Sequence, residues 1–254
     1  MFDKRFFINL MVVLTLSSAG PYVTVAAADT ALDAALTASI RGDDNERDAS
    51  RKPAETLAFF EVSSGSSVLE LMPGSGWYTK ILGTYLKDSG ELYLAINVRE
   101  ERLKLDENNL QHVKIIGKPA DLMRTDDPTK LGAGADEIDF GVTNIDVALT
   151  FRNLHNMTEA ARGAVNRAVF RALKPGGVFG MIDHTRRHME VYDEERWRRM
   201  DPVQIIKEAV AAGFIFEDYS DLHSRPADEL IYDSTDDSIE GDSDRFTLKF
   251  RKPK

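Results

Sequence analysis

The chain has 254 residues, 43% hydrophobic and 29% charged, with 42 acidic against 32 basic side chains and a formal net charge of −10. This is the composition of a globular domain able to bury a sizeable core, and the acidic balance argues against a nucleic-acid partner, whose phosphates need a positive surface. There is no cysteine, which excludes disulfides, thiol nucleophiles and thiolate metal sites.

Residues 1–28 read as a secretory signal peptide. Lys4 and Arg5 form a positive head, Phe6 to Leu16 is apolar except for Asn9 and Thr15, and Ala26-Ala27-Ala28 offers small residues for cleavage before Asp29. The apolar run is shorter than the ~20 residues of a membrane-spanning helix. The expectation is a periplasmic or secreted protein with no membrane span after cleavage; an uncleaved anchor is the alternative. Residues 29–52 are expected to form a polar arm, mobile or loosely helical, with the charge-dense stretch from Arg41 to Lys52 solvated.

Residues 53–254 are expected to form a single domain. Pro53 opens a short helix with Leu57 and Phe60 on its apolar side. From there, strands and helices alternate, which predicts an α/β fold with a mainly parallel sheet covered by helices on both faces. The strands are expected at 67–71, 92–97, 112–116, 145–151, 178–183, 214–219 and 246–250. Helices are expected over 77–86, after the cap residue Thr158, and after Asp201-Pro202, where proline takes the first helical position. Lys174-Pro175-Gly176-Gly177 is read as a turn launching the fifth strand. Glu194 to Arg199 is expected as a surface helix, and the Asp- and Ser-rich stretch before the last strand as an excursion of the chain.

The most informative segment is Val68-Leu69-Glu70-Leu71-Met72-Pro73-Gly74-Ser75-Gly76-Trp77-Tyr78, in which a strand enters a glycine turn and a helix follows at once. Glycine there allows a ligand to approach the backbone closely. The segment resembles the first motif of class I S-adenosylmethionine-dependent methyltransferases, with Glu70 in the acidic position and Gly74 and Gly76 as the second and third glycines; Met72 stands where the first glycine belongs. Asn97, about 20 residues on, takes the place of the usual acidic ribose-binding residue. Asn144-Ile145-Asp146-Val147-Ala148-Leu149 is similar to the family's fourth strand. Arg171-Ala172-Leu173-Lys174-Pro175-Gly176-Gly177 is similar to its turn into strand five, and Ala211-Ala212-Gly213-Phe214 to its junction before strand six. The resemblance spans roughly Pro53 to Phe250 and implies the family's Rossmann-like seven-stranded sheet.

The resemblance further implies S-adenosylmethionine as cofactor, bound by Glu70, Met72, Gly74, Gly76 and Asn97, with Phe151, Arg152 and Asn153 beside the methyl donor. His155 follows this segment and is a candidate base. Asp183 and His184, at the end of the fifth strand, could pair as an oriented base and are candidates to face the acceptor, and the basic run Arg186-Arg187-His188 is a place to receive an anionic one. Trp77 and Tyr78 are candidates to wall the pocket. His155, Asp183, His184 and His188 are metal-capable side chains, but their spacing matches no metal-site signature. The leading expectation is methyl transfer to a small-molecule acceptor. The competing one is a non-catalytic binding protein of the cell envelope, suggested by Met72, Asn97 and export. A nicotinamide-dependent oxidoreductase fits less well, because Met72 breaks that fingerprint too. The oligomeric state is not readable from the sequence.

Overall fold

The computed structural model describes residues 29–117, 122–134, 137–239 and 241–254; the expected signal peptide lies outside them. In chain order the elements are α1 (Thr30–Leu36), a 3-10 segment (Ser39–Arg47), α2 (Asp48–Arg51), α3 (Pro53–Phe59), β1 (Ser67–Leu71), α4 (Trp77–Leu86), β2 (Glu91–Ala95), α5 (Glu100–Leu103), β3 (Lys114–Ile115), β4 (Leu122–Arg124), β5 (Leu131–Ala133), β6 (Ile145–Phe151), α6 (Glu159–Ala172), β7 (Leu173–Thr185), β8 (Arg199–Met200), α7 (Pro202–Ala211), β9 (Ile215–Ser220) and β10 (Arg245–Arg251). Among the described residues, no helix is long and apolar enough to cross a membrane.

The main sheet runs β3-β2-β1-β6-β7-β10-β9, with the short β8 beside β7 and a separate β4–β5 hairpin. Pairs from β3 to β7 are parallel, and β10 is antiparallel to both β7 and β9. Alternation along the strands divides the core into two layers. Val68, Val147, Leu149, Val178 and Ile182 point toward α3 and α4, packing on Leu57, Ile81 and Leu82. Leu69, Leu71, Ala148, Phe179 and Met181 point the other way, toward Ala161, Val165 and Val169 of α6 and Ile205 and Ala209 of α7. The caps are those read from sequence: Thr158 accepts from the Ala161 amide at 3.2 Å, and Asp201 from the Val203 amide at 2.9 Å.

Three local expectations are corrected. The turn at Lys174–Gly177 lies inside β7, as extra residues where the β6–β7 register shifts between Ile145 and Val147. Glu194–Arg196 forms one 3-10 turn, and the chain then becomes β8. Its Arg199 is buried, with Nη2 donating to both Asp228 oxygens at 2.9 and 3.0 Å. Residues 30–51 are helical and packed on the domain. Arg41 is 2% exposed yet paired twice with Asp48, at 2.5 and 2.8 Å. Trp77 Nε1 donates to the Asp44 carbonyl at 2.8 Å, Lys80 pairs with Asp44, and the Tyr85 hydroxyl bonds Asp29. A charge-dense segment folds here because its charges neutralise one another and the flank of α4.

On the α3 side, Gly180 of β7 makes room for the fully buried Phe60 ring: a Cβ at 180 would stand 2.7 Å from it. Gly180→Ala is therefore expected to cost about 1–3 kcal/mol, and Phe60→Leu in the Gly180→Ala background to recover part of that loss. Additive losses in a denaturant double-mutant cycle would show that the two positions do not compete for the same space.

Candidate functional site

β1 has β2 on one side and β6 on the other, so the chain's winding reverses at β1. In open α/β sheets the crevice beyond the carboxyl ends of such strands is the ligand site. Here β1 and β6 end in left-handed residues other than glycine, Met72 (φ 51°) and Arg152 (φ 59°), and β2 is followed by two more, Ile96 (φ 62°) and Asn97 (φ 50°). Each costs roughly 1 kcal/mol or more. The Met72 amide donates to the Ala95 carbonyl at 2.9 Å and the Arg152 amide to the Ile182 carbonyl at 2.7 Å, so the sheet itself imposes these turns.

Two cavities open at this end. One, of about 470 Å³, is bounded by Glu70, Met72, Gly74, Trp77, Tyr78, Phe151, Arg152, Asn153, His155 and His184, together with the helical arm and the segment preceding β10. The other, of about 420 Å³, adjoins it through Met72, Gly74 and Asn153 and contains Asn97, Arg99, Arg102 and Arg124. The structure thus brings Glu70, Met72, Gly74, Phe151, Arg152, Asn153, His155 and His184 to the first cavity and Asn97 to the second. Trp77 and Tyr78 wall the first cavity, and Tyr78 stacks on Phe151 with ring centroids 3.6 Å apart.

The glycine turn suits close approach. Gly74 is left-handed (φ 63°), and a Cβ there would meet no atom within 4 Å, so it would project into the open space a ligand would fill. Gly76 lines neither cavity; its φ of 83° starts α4, where a Cβ would press on Leu103 at 3.0 Å. The Met72 side chain is buried in the α6-side core with Leu69, Leu71 and Ala95. The Asn153 amide donates to the Leu71 and Met72 carbonyls at 3.2 and 3.1 Å and so braces the turn.

Glu70 is buried and accepts a 2.7 Å hydrogen bond from the Thr79 hydroxyl. Burial pushes its carboxyl up to about 7. Across the cavity, Asp183 is fully buried. Its Oδ1 faces His155 Nδ1 at 2.7 Å and accepts from the His184 amide at 2.8 Å, while Oδ2 accepts from the His155 amide at 3.1 Å. Burial alone would raise Asp183, but the attraction and hydrogen bond of His155, with the hydrogen bond from the His184 amide, outweigh it and hold the carboxyl below its ordinary value. Burial pushes His184 well below its ordinary value, so it is neutral, with Nδ1 at 2.9 Å from Ser243 Oγ. Trp197 stands edge-on to the His155 ring at 5.5 Å. A histidine held through Nδ1 by a carboxylate leaves Nε2 as the group that can take a proton.

The basic run after β7 does not join this site. His188 Nδ1 bonds Asp201 Oδ2 at 2.9 Å, Arg187 donates to the Glu229 carbonyl at 2.6 Å, and neither they nor Arg186 lines the cavity. Among the described residues, no group of three or more His, Asp or Glu side chains could hold a metal. Sequence reasoning missed Arg51 of the arm, His223 and Ser243 of the segment before β10, and Arg245 at its start, all at the cavity. No local pattern marks them, because only the fold joins their distant segments.

No family model matches the chain. It is 29% identical over 131 residues to an uncharacterized methyltransferase of Synechocystis, covering 52% of this chain and 51% of that one. It is 27% identical over 125 residues to the ubiquinone/menaquinone biosynthesis C-methyltransferase of Pasteurella multocida, covering 49% and 42%. The alignments thus span about half the length of these curated relatives. A SAM-dependent methyltransferase structure from Aquifex aeolicus superposes with a TM-score of 0.55 at 17% identity, over 84% of this chain and 96% of that one. The 1,6-didemethyltoxoflavin-N1-methyltransferase of Burkholderia thailandensis, solved with 1,6-didemethyltoxoflavin and S-adenosylhomocysteine, gives 0.54 at 15% identity over 90% and 92%. The fold is that of the class I methyltransferases.

The raised Glu70 carboxyl makes a stability prediction. A group whose folded pKa lies above its unfolded one contributes stability below the unfolded value, and that contribution is lost as pH rises through the folded value. Between pH 4.5 and about 7 the native protein therefore loses stability relative to Glu70→Gln, by about 3 kcal/mol at most. Denaturant melts at pH 5 and pH 8 check this; parallel pH profiles for the two proteins would contradict it.

Proposed function

We propose that this protein is an S-adenosylmethionine-dependent methyltransferase acting on a small-molecule acceptor. The observation that carries the reading is the Gly74 turn, which joins both cavities and faces open space next to the Glu70 carboxyl. The bound donor supplies a methyl group on a cationic sulfur. Glu70 offers that cation the first cavity's one carboxylate among the described residues. Met72 and Gly74 present backbone to the ligand, and Asn97 offers an amide to ribose hydroxyls in the second cavity. Phe151 and Tyr78 exclude water as a stacked wall.

His155 is the base in this account. With Asp183 fixing Nδ1, Nε2 accepts the proton that the acceptor's nucleophile must lose, and the buried carboxylate stabilises the resulting imidazolium. His184 stays neutral and adds no competing charge. Such a positioned base contributes on the order of 10²–10⁴ in rate. The non-catalytic alternative rested partly on Met72; burial of that side chain in the core leaves the turn's outer face open and supports the enzyme reading. We also propose export, on the pattern of residues 1–28; N-terminal sequencing of the protein recovered from cells tests it.

Calorimetric titration with S-adenosylhomocysteine and S-adenosylmethionine, with NAD as control, is expected to give micromolar binding of the first two that Gly74→Trp abolishes. No binding at millimolar ligand would sink the reading. Because Glu70 is protonated below about pH 7, S-adenosylmethionine binding at pH 6 should release a fraction of a proton, detected by repeating the titration in buffers of different ionisation enthalpy, and Glu70→Gln should remove that release.

A further inference from the structure

The first cavity carries more positive charge than the single carboxylate of the donor's amino-acid end can use. Arg47, Arg51, Arg152, Arg198 and Arg245 line it, against Glu70 as its one carboxylate among the described residues. Arg198 is committed to Asp233 at 3.0 Å. For Arg51, Arg152 and Arg245, no carboxylate of the described residues lies within ion-pair distance.

Arg51 and Arg245 are held in place by something other than an acid. Arg51 lies over the Trp77 ring, 4.4 Å from its centroid. Its carbonyl accepts from His223 Nε2 at 2.9 Å, and His223 Nδ1 is 2.8 Å from the Thr247 hydroxyl, which ties the arm to β10. Arg245 is 5% exposed; its Nη2 donates to the Gly241 carbonyl at 3.0 Å, and its Nε is buried without a partner. Arg152 makes no side-chain hydrogen bond among the described residues, and it occupies a left-handed backbone position (φ 59°) that glycine or asparagine would fill at lower cost. Burial and mutual repulsion hold Arg51 down at about 9 and Arg245 at about 10. Asp183 attracts Arg152 and Asp242 attracts Arg245 only from beyond ion-pair distance, and a cluster of like charges partly withdrawn from water, with no directly paired carboxylate among the described residues, is destabilising by itself. It is what an oxyanion-binding site requires, because the guanidinium fork matches carboxylate and phosphate oxygens.

We propose that the cavity binds an anionic small molecule, a carboxylate or a phosphate ester, with its oxyanion between Arg51, Arg152 and Arg245 and its body against Tyr78 and Phe151. The cavity's ~470 Å³ suits a ligand of metabolite size. This deepens the methyltransferase reading, on which it rests for the statement that the anion is the methyl acceptor; the site itself stands on the arginines.

The test titrates the full chain, at constant ionic strength, with inorganic phosphate, with benzoate and with benzamide as the uncharged counterpart of benzoate, following tryptophan fluorescence and Tm. Saturable binding of phosphate assigns a phosphate ester; saturable binding of benzoate, with benzamide at least tenfold weaker, assigns a carboxylate. Arg152→Gly is the sharpest variant, since it relieves backbone strain and charge repulsion together. It is expected to be at least as stable as the native protein yet to bind the preferred anion at least tenfold more weakly. Arg245→Gln should weaken the anion similarly and is a second, independent probe. The proposal is overturned if neither anion saturates, if benzamide binds as well as benzoate, or if both variants bind like the native protein. S-adenosylhomocysteine titrated in parallel into the unaltered chain separates the two readings. If it binds while the anions fail, this inference falls alone; if it fails while the anions bind, the methyltransferase reading falls and the anion site remains.

Discussion

The Asp183 carboxylate, fully buried near the carboxyl end of β7, fixes the geometry on which the site depends. One oxygen holds the His155 ring and the His184 amide, and the other holds the His155 amide. It therefore sets the path of the chain after β6 and the direction of an imidazole at once. A buried carboxylate is tolerated only when such bonds replace its water. Both strands owe their position to the apolar alternation that packs Val178 and Ile182 against one helical layer and Phe179 and Met181 against the other. The core thus delivers the carboxylate, and the carboxylate orients the His155 ring.

A second constraint acts at the other side of the crevice. Met72 and Arg152, which end β1 and β6, and Asn97, which follows β2, all take left-handed backbone. Strain of this kind persists where surrounding structure over-determines it, and here strand pairing and the Asn153 amide do so. The result is a rim of left-handed backbone around the crevice, in which Gly74 faces open space. The charge distribution follows: among the described residues, one acid, Glu70, lies beside the turn, and Arg51, Arg152 and Arg245, with no carboxylate at ion-pair distance, stand around the first cavity.

Much of the frame was legible in the sequence because its signals are local. The strand–glycine–helix segment around Gly74, the buried run of β6 and the Asp201-Pro202 cap each carry a short-range physical reason and fall where expected. The candidate pair of Asp183 with a histidine was legible as residue types at strand ends, although the partner of its ring contact is His155 and not His184. What sequence reading missed depends on long-range pairing. The arm looks solvated by composition, yet Arg41 and Asp48 cancel each other's charge and Trp77 reaches back to Asp44. The Arg186-Arg187-His188 run had the right composition for an anion site, but Arg187 is tied to the Glu229 carbonyl and His188 to Asp201. In the proposed site Arg51 of the arm and Arg245 of β10 take that place; only the sheet, which sets β10 beside β7, and the arm, anchored through His223, bring them together.

A crystal structure with S-adenosylhomocysteine tests the account most directly. The account predicts ligand density over Gly74, with the ribose at Asn97 and the sulfur turned toward the cavity shared by Glu70, Arg152 and His155, and Met72 still in the core. Density elsewhere, or a ligand reached only by expelling the Met72 side chain into solvent, would contradict it.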